Sequence, residues 1–372
     1  MNFTIKKGDI LTVLSKVQGL TSRKSNLAIT ENVLLTTTDR SITLMATDLE
    51  TGIEGSYPAT VEKNGSIAIN ARKLYEIVRE FPNDDIVINE VENKWIEIGN
   101  KDVQYHIVGM DPEEFPENPH IDEIAFIEID SAWFKKMIEK TVMIVGASDD
   151  KRAHINGAQF EQMKDNDKPL VRFVSTDGSR LSKADYFFDK EEKMIPFDKI
   201  IIPKKGLNEV AKFLSTEGKV GIGIQKNYFV VKKEAETIII RLLEGEFPEY
   251  KEIIQKKENC NVVLNRNRFI MMLKRMSILS SDNYKGAVFD FKDNTLTVIA
   301  TNPEIGESKE YMELDYNRDA IKVAFNPKYF IEILNVIEGE NALLNIVDEE
   351  KPCVIEGQDD TSYLSVIMPM RI

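Results

Sequence analysis

Ala71-Arg72-Lys73-Leu74-Tyr75-Glu76-Ile77-Val78-Arg79-Glu80-Phe81 is the stretch whose reading decides the fold. Leu74, Ile77, Val78 and Phe81 fall at i, i+3, i+4 and i+7, the spacing of one buried helix face. The spacing returns at Leu207, Val210, Ala211 and Leu214, and again at Phe330, Ile333, Leu334 and Ile337. A glutamate holds the same place each time, at Glu76, Glu209 and Glu332. Basic residues open each copy: Arg72-Lys73, Lys204-Lys205 and Lys328. One amphipathic helix says little; three in one register mark an internal repeat.

The flanks repeat as well. A short alternating strand and a helix begin each copy: Phe3-Thr4-Ile5 with Ile10, Val13, Leu14 and Val17; Ile127-Glu128-Ile129 with Phe134, Met137, Ile138 and Thr141; Val262-Val263-Leu264 with Phe269, Met272, Leu273 and Met276. A hairpin follows and runs into Thr47-Asp48, Thr176-Asp177 or Thr301-Asn302. Asp130 or Ser131 is placed to cap the second copy's first helix. Pro112, Pro116 and Pro119 mark one linker, and Phe247-Pro248-Glu249-Tyr250 with Lys256-Lys257-Glu258 mark another. The expected fold is α+β: three repeated domains, each with two helices packed on antiparallel sheets. Their boundaries are 1–122, 123–255 and 256–372. At roughly 125 residues a copy is domain-sized, too large for a solenoid unit.

The 372 residues carry a formal net charge of -14, which taken whole argues against a nucleic-acid partner. A two-sided surface can hide the opposite sign, so the distribution matters more. Cys260 and Cys353 are the only cysteines, too few for a disulfide framework or a Cys-x-x-Cys metal site, and a reducing cytoplasm fits. Met1–Lys7 lacks the apolar run of a signal peptide, and no run approaches the roughly 20 residues needed to span a bilayer.

An enzyme is hard to find. His106, His120 and His154 form no His-x-x-x-His pair, so neither a metal nor another cofactor is expected. There is no Gly-x-x-x-x-Gly-Lys-Ser/Thr loop and no Gly-x-Ser-x-Gly elbow. Asp48 and Asp177 are candidate carboxylates for a hydrolase on a repeated scaffold, the one alternative of a different class. Their recurrence at the same turn favours a structural role, which Asn302 fills equally well in the third copy.

The helices tell more. Arg72, Lys73, Arg79, Lys136, Lys204, Lys205, Arg275 and Lys328 lie beside the apolar faces of an otherwise acidic chain. Several sit in a first helical turn, where the macrodipole disfavours cations but suits a bound phosphate. Such a surface holds a polyanion through its backbone without reading sequence. Met368-Pro369-Met370-Arg371-Ile372 follows a final strand. Methionines beyond Pro369 suit an adaptable groove that takes several partners.

With Ala46-Thr47-Asp48-Leu49-Glu50, Ser175-Thr176-Asp177-Gly178-Ser179-Arg180-Leu181, Pro203-Lys204-Lys205-Gly206 and Met368–Ile372 in this order, the chain resembles the bacterial DNA polymerase III sliding clamp family along essentially its whole length. The resemblance implies a non-enzymatic, head-to-tail homodimer: a ring around duplex DNA that confers processivity on the replicative polymerase. It places DNA-contact loops at Arg23 and Lys24 and at Ser148–His154, notably Lys151, Arg152 and His154. It places the dimer seam near Lys101–Ile107 and Glu304–Glu313, with apolar contacts at Tyr105, Ile278 and Leu279 and with Lys101 facing Glu304, Glu307 or Glu310. It implies a pocket for short linear peptides of the polymerase, the clamp loader and repair polymerases. That pocket is lined by Ile155, Thr176, Gly178, Arg180, Leu181, Pro248, Ile253, Val366, Met368, Pro369, Met370 and Arg371. Ser179 replaces a frequent histidine of the family and Glu252 a frequent arginine.

Overall fold

The computed structural model describes residues 1–21, 28–82, 84–119, 121, 124–144, 152–188, 197, 199–281 and 285–371, leaving aside the side chains of Ala153 and His154. The first repeat runs β1 (Asn2–Lys6), α1 (Lys7–Thr21), β2 (Asn32–Thr37), β3 (Ser41–Thr47), β4 (Thr51–Pro58), β5 (Thr60–Lys63), β6 (Ser66–Asn70), α2 (Ala71–Glu80), β7 (Asp85–Glu90), β8 (Trp95–Gly99) and β9 (Gln104–Val108). The second runs β10 (Ile127–Asp130), α3 (Ser131–Val142), the single turn α4 (Ala153–Asn156), β11 (Gly157–Asp165), β12 (Lys168–Thr176), β13 (Arg180–Phe187), β14 (Ile200–Pro203), α5 (Lys204–Phe213), β15 (Lys219–Gln225), β16 (Tyr228–Lys233) and β17 (Glu236–Arg241). The third runs β18 (Asn261–Asn265), α6 (Arg266–Met276), β19 (Ala287–Lys292), β20 (Thr295–Asn302), β21 (Gly306–Glu313), β22 (Ile321–Phe325), α7 (Pro327–Val336), β23 (Asn341–Asn345), β24 (Cys353–Gly357) and β25 (Tyr363–Ile367).

Local chemistry explains the helix starts. The Asn70 side chain accepts from the Lys73 N–H at 3.0 Å, Asn265 from Arg268 at 3.0 Å, and Asn326 from Lys328 at 3.0 Å. Asp130 does the same for Trp133 at 2.8 Å. Each satisfies one of the orphan donors of a first turn, which is worth about 1 kcal/mol. Pro327 then opens α7, where it loses no hydrogen bond.

The chain forms two compact units. One includes Met1–Lys135 and Lys205–Leu242. It holds a five-stranded sheet in the order β5-β1-β7-β8-β9 and an eight-stranded sheet in the order β10-β15-β16-β17-β4-β3-β2-β6. α1 packs on α2, burying Val13, Leu14, Val17, Leu74 and Val78. The other includes Lys136–Glu192, Phe197–Lys204 and Leu243–Ile372. It holds an eight-stranded sheet in the order β14-β11-β12-β13-β25-β24-β23-β18 and a four-stranded sheet in the order β21-β20-β19-β22. Here α6 packs on α7 over an aromatic core: Phe289 stacks on Phe330 at 5.2 Å, and Phe269 meets Phe330 edge-on at 5.9 Å.

Each eight-stranded sheet is continuous across two repeats. β17 pairs with β4 through Ile238 and Ile53, and β25 pairs with β13 through Val366 and Leu181. Beyond these strands the same isolated bridge recurs three times, at Ala68–Met110, Ile201–Leu243 and Ala324–Met370. β9 and β21 carry no such neighbour and stand at the edges of their sheets.

Candidate functional site: a groove beside Met368, basic helices and two strand edges

The β12–β13 turn is built by its own side chains. Asp177 Oδ1 accepts from the Ser179 N–H at 2.9 Å and the Arg180 N–H at 3.1 Å. Thr176 Oγ1 accepts from the Gly178 N–H at 3.1 Å and donates to the Arg180 carbonyl at 2.8 Å. Gly178 holds φ at 88°, where a Cβ is disfavoured. Asp48 fills the same office in the β3–β4 turn, accepting from Glu50 at 3.0 Å and Thr51 at 2.7 Å. Both carboxylates are therefore engaged in turn geometry, which leaves the hydrolase alternative without its catalytic groups.

Around the β12–β13 turn several of the residues expected at the peptide pocket come together. The Met368 N–H donates to the Ser179 carbonyl at 2.9 Å, and the Met370 N–H to the Ala324 carbonyl at 2.8 Å. Leu181 and Val366 pair across strands and are buried in one cluster with Val174, Tyr250, Val354 and Leu364; Phe247 and Ile254 pack against it. Gly178, Pro248, Ile253, Met368, Met370 and Arg371 are exposed. Ile155, on the single turn α4, is buried. Arg180 is fixed from three sides: Nε reaches Asp177 Oδ2 at 2.9 Å, Nη1 reaches Glu332 Oε2 at 2.6 Å, and the guanidinium lies 4.2 Å from the Tyr329 ring centroid. Burial, with Arg180 adding repulsion, holds the Lys204 ammonium below the usual lysine range.

A buried polar network lies under the chain that walls this groove, and nothing in the sequence periodicity announced it. Arg172 Nε and Nη2 bind the two oxygens of Asp185 at 2.6 and 2.9 Å, and Lys183 Nζ adds a third bond at 2.6 Å. Arg172 Nη1 also reaches the Tyr250 hydroxyl at 3.4 Å, while that hydroxyl donates to Glu161. Burial and the Glu161 hydrogen bond push the Tyr250 phenol up; burial likewise lowers the Lys183 ammonium. Tyr250 thereby pins the segment containing Pro248 and Ile253. The only sequence signal was charge inside otherwise apolar strands, at Glu161, Arg172, Lys183 and Asp185.

The basic helix faces are less bare than composition suggests. Arg72 and Lys73 bind Glu76 at 3.0 and 2.8 Å, and Arg79 binds Glu80 at 2.9 Å. Lys136 binds Glu338 at 2.8 Å, Lys205 binds Asp48, and Arg275 is bidentate to Glu310. Lys328 is exposed at the start of α7, and Arg152 is exposed beside α4. Arg23, Lys24 and Lys151 lie outside the described residues, as does the side chain of His154. The repeated glutamate has three different fates. Glu76 takes its own helix's cations, Glu332 takes Arg180, and Glu209 is buried against Gly19 with Lys212 at 2.9 Å.

At the two sheet edges apolar side chains face solvent: Tyr105 on β9 is 38% exposed and Ile278, in the turn after α6, is 75% exposed. Lys101, Glu304 and Glu307 are exposed and Leu279 is half-buried. No helix among the described residues is long and apolar enough to cross a membrane.

Three repeats, two sheets continuous across repeats, a C-terminal tail bonded to the β12–β13 turn and exposed strand edges define a modular repeat protein. Comparison with known proteins gives the family. Residues 1–119 match the N-terminal domain of the DNA polymerase III beta subunit, 128–249 its central domain and 251–371 its C-terminal domain. The beta sliding clamps of Pseudomonas putida and Chlamydia pneumoniae are 28% and 26% identical over the whole chain, covering 100% and 99% of those proteins. The crystal structure of the DNA polymerase III beta subunit of Pseudomonas aeruginosa superposes with a TM-score of 0.93 at 27% identity, covering all of both chains. A griselimycin-bound sliding clamp of the same organism gives 0.92 at 26% identity, again covering all of both chains. The chain belongs to the DNA polymerase III beta subunit family, the bacterial sliding clamps, which are non-catalytic.

Proposed function

We propose that this protein works in the cytoplasm as a homodimeric ring around duplex DNA. There it confers processivity on the replicative polymerase and tethers the clamp loader and repair polymerases. Family membership along the entire chain carries this reading. The ring is made of domains 1–122, 123–255 and 256–372 from each copy, closed head to tail. Lys101, Tyr105, Ile278, Leu279, Glu304 and Glu307 lie at the seam. Partner peptides enter the groove formed by Ile155, Thr176, Gly178, Arg180, Leu181, Pro248, Ile253, Val366, Met368, Pro369, Met370 and Arg371. Burial of peptide apolar side chains there, at about 25 cal/mol per Å², supplies the affinity, with the exposed methionines adapting to different sequences.

DNA is held by enclosure. Arg23, Lys24, Arg72, Lys73, Arg79, Lys136, Lys151, Arg152, His154, Lys204, Lys205, Arg275 and Lys328 supply the basic lining. Many of these cations are already paired with carboxylates. Their local attraction for phosphate is correspondingly mild, and exchange of an exposed pair for a phosphate costs little. The test is retention on DNA of two topologies at a salt concentration that suppresses phosphate contacts. The protein stays on nicked circular DNA and leaves once the circle is cut; equal retention on both forms refutes encirclement.

A further inference from the structure

The three recurring bridges align the repeats residue by residue, and that alignment reaches the free edges. From the bridge residues, Ala68, Ile201 and Ala324 pair with Leu34, Gln159 and Val288. These pair in turn with Met45, Val174 and Ile299. The next strands present Glu54, Lys183 and Lys309. In the first repeat the incoming strand β17 sets Thr237 opposite Glu54, six residues before the bridge residue Leu243. In the second, β25 sets Leu364 opposite Lys183, again six before Met370. The register is thus the same in both joins, two residues further along as well: Gly52 faces Ile239, and Leu181 faces Val366. β21 is the third strand of this kind and, among the described residues, has no incoming strand; β9, ending two residues before the bridge residue Met110, is the third incoming strand and has no acceptor among them.

We infer that β9 of one copy adds to β21 of a second copy in this inherited register, so that His106 lies beside Glu307 of the partner subunit and their contact makes ring closure pH-dependent. The inference rests on the ring reading above and adds its register and its ionic contact. Apolar burial agrees with it. Ile238 and Ile240 on β17 are fully buried, whereas of their counterparts on β9 Tyr105 is exposed and Ile107 only half-buried. Leu20, in the last turn of α1, and Ile144, after α3, are buried, while their counterpart Leu279 is only half-buried. A second copy laid on β21 covers both sets.

The charges facing His106 are few. On β8, Glu97 accepts at 3.1 Å from the imidazole and is itself held by Asn89 at 3.2 Å. The His106 contact holds the Glu97 carboxyl below the usual range. On β9 the same-face neighbours, Gln104 and Val108, are uncharged. Across the seam the register supplies the partner's Glu307, with the partner's Lys309 two residues away opposite Gln104 and the partner's Ile305 opposite Val108. Within its own copy, among the described residues, Glu307 accepts a long bond from Thr301 Oγ1, at 3.3 Å. A protonated imidazole at this seam meets two carboxylates in the dimer and one in the monomer. The second carboxylate favours the charged imidazole ring, so association takes up protons and tightens as pH falls. The register also moves Lys101 away from Glu304 of the partner subunit: residue 101 lies opposite residue 312, at the far end of the strand.

The dimer Kd is measured by analytical ultracentrifugation between pH 5.5 and 8 on the full chain. An exposed pair of this kind is worth about threefold per seam, so two seams tighten the dimer about tenfold at pH 5.5 relative to pH 8. Glu307→Gln keeps the His106–Glu97 pair and flattens the profile to within about twofold, as does His106→Gln. A wild-type profile already flat, or a slope that survives both substitutions, overturns the ionic contact. In the double variant His106→Cys, Glu307→Cys, the facing positions sit within disulfide range across an antiparallel pair, and oxidation links the subunits. The pair His106→Cys, Lys309→Cys is offset by two residues and links poorly; preference for the offset pair overturns the register. A chain that remains monomeric at every pH refutes the ring reading itself, which the other outcomes leave standing.

Discussion

Asp185→Ala tests the account of the second repeat most severely. Asp185 is 2% exposed and receives three charge-assisted hydrogen bonds, two from Arg172 and one from Lys183. Truncation strands two buried cations in a low-dielectric face, where Glu161 pairs opposite Arg172 and Asp165 acts on Lys183. Breaking a buried pair on one side costs about 3–5 kcal/mol, because the charge left behind loses its solvation without compensation. We expect about 4 kcal/mol from urea denaturation at pH 7, with hydrogen exchange accelerated in β12 and β13. Lys183→Met costs less, since burial already weakens that ammonium. The triple replacement Arg172→Met, Lys183→Met, Asp185→Leu recovers most of the loss, because it removes all three charges together. Tyr250 then loses one partner but keeps Glu161, so peptide affinity falls only slightly. A loss under about 1 kcal/mol for Asp185→Ala, or no recovery in the triple variant, refutes the reasoning.

Other outcomes follow from single features. Gly178→Ala meets no neighbouring atom at its new Cβ, so its cost is the left-handed backbone alone, about 1–2 kcal/mol by thermal melting. Asp360 is held below the usual carboxylate range by Lys140 at 2.8 Å and by Ser362, against the opposing effect of burial. A depressed folded value stabilises the protein above the unfolded one and the gain is lost as pH falls through it. Asp360→Asn therefore costs about 2 kcal/mol at pH 7 and nearly nothing at pH 2.5, read by denaturation at the two pH values. Met368→Ala weakens binding of a Leu-x-Leu-Phe peptide by at least 1 kcal/mol in calorimetry while leaving the melting temperature unchanged, as a groove anchor should.

The repeats were legible because their signals are local. Helix faces at i, i+3, i+4 and i+7, the Asp130 cap before α3, and Asp48 and Asp177 in their turns depend on residues within a few positions of one another. Physical chemistry reads those from the chain directly. The groove was half legible. Its turn and tail stood out, but its floor joins Leu181 to Val366, which are paired only through a sheet closed over a long chain separation.

Cation partners were legible only where they are local. Arg72 and Lys73 bind Glu76 within one turn of the same helix; Arg275, on α6, finds Glu310 on β21, and Arg180, on β13, finds Glu332 on α7. The sequence by itself determined three domains, their helices and the turn chemistry, because each rests on short-range spacing. Only the tertiary structure decided which charges remain available, where Tyr250 is pinned and in what register the edges β9 and β21 are cut. Each of those follows from strand pairings whose partners lie far apart in the chain, and burial then fixes the charges that the pairings bring together.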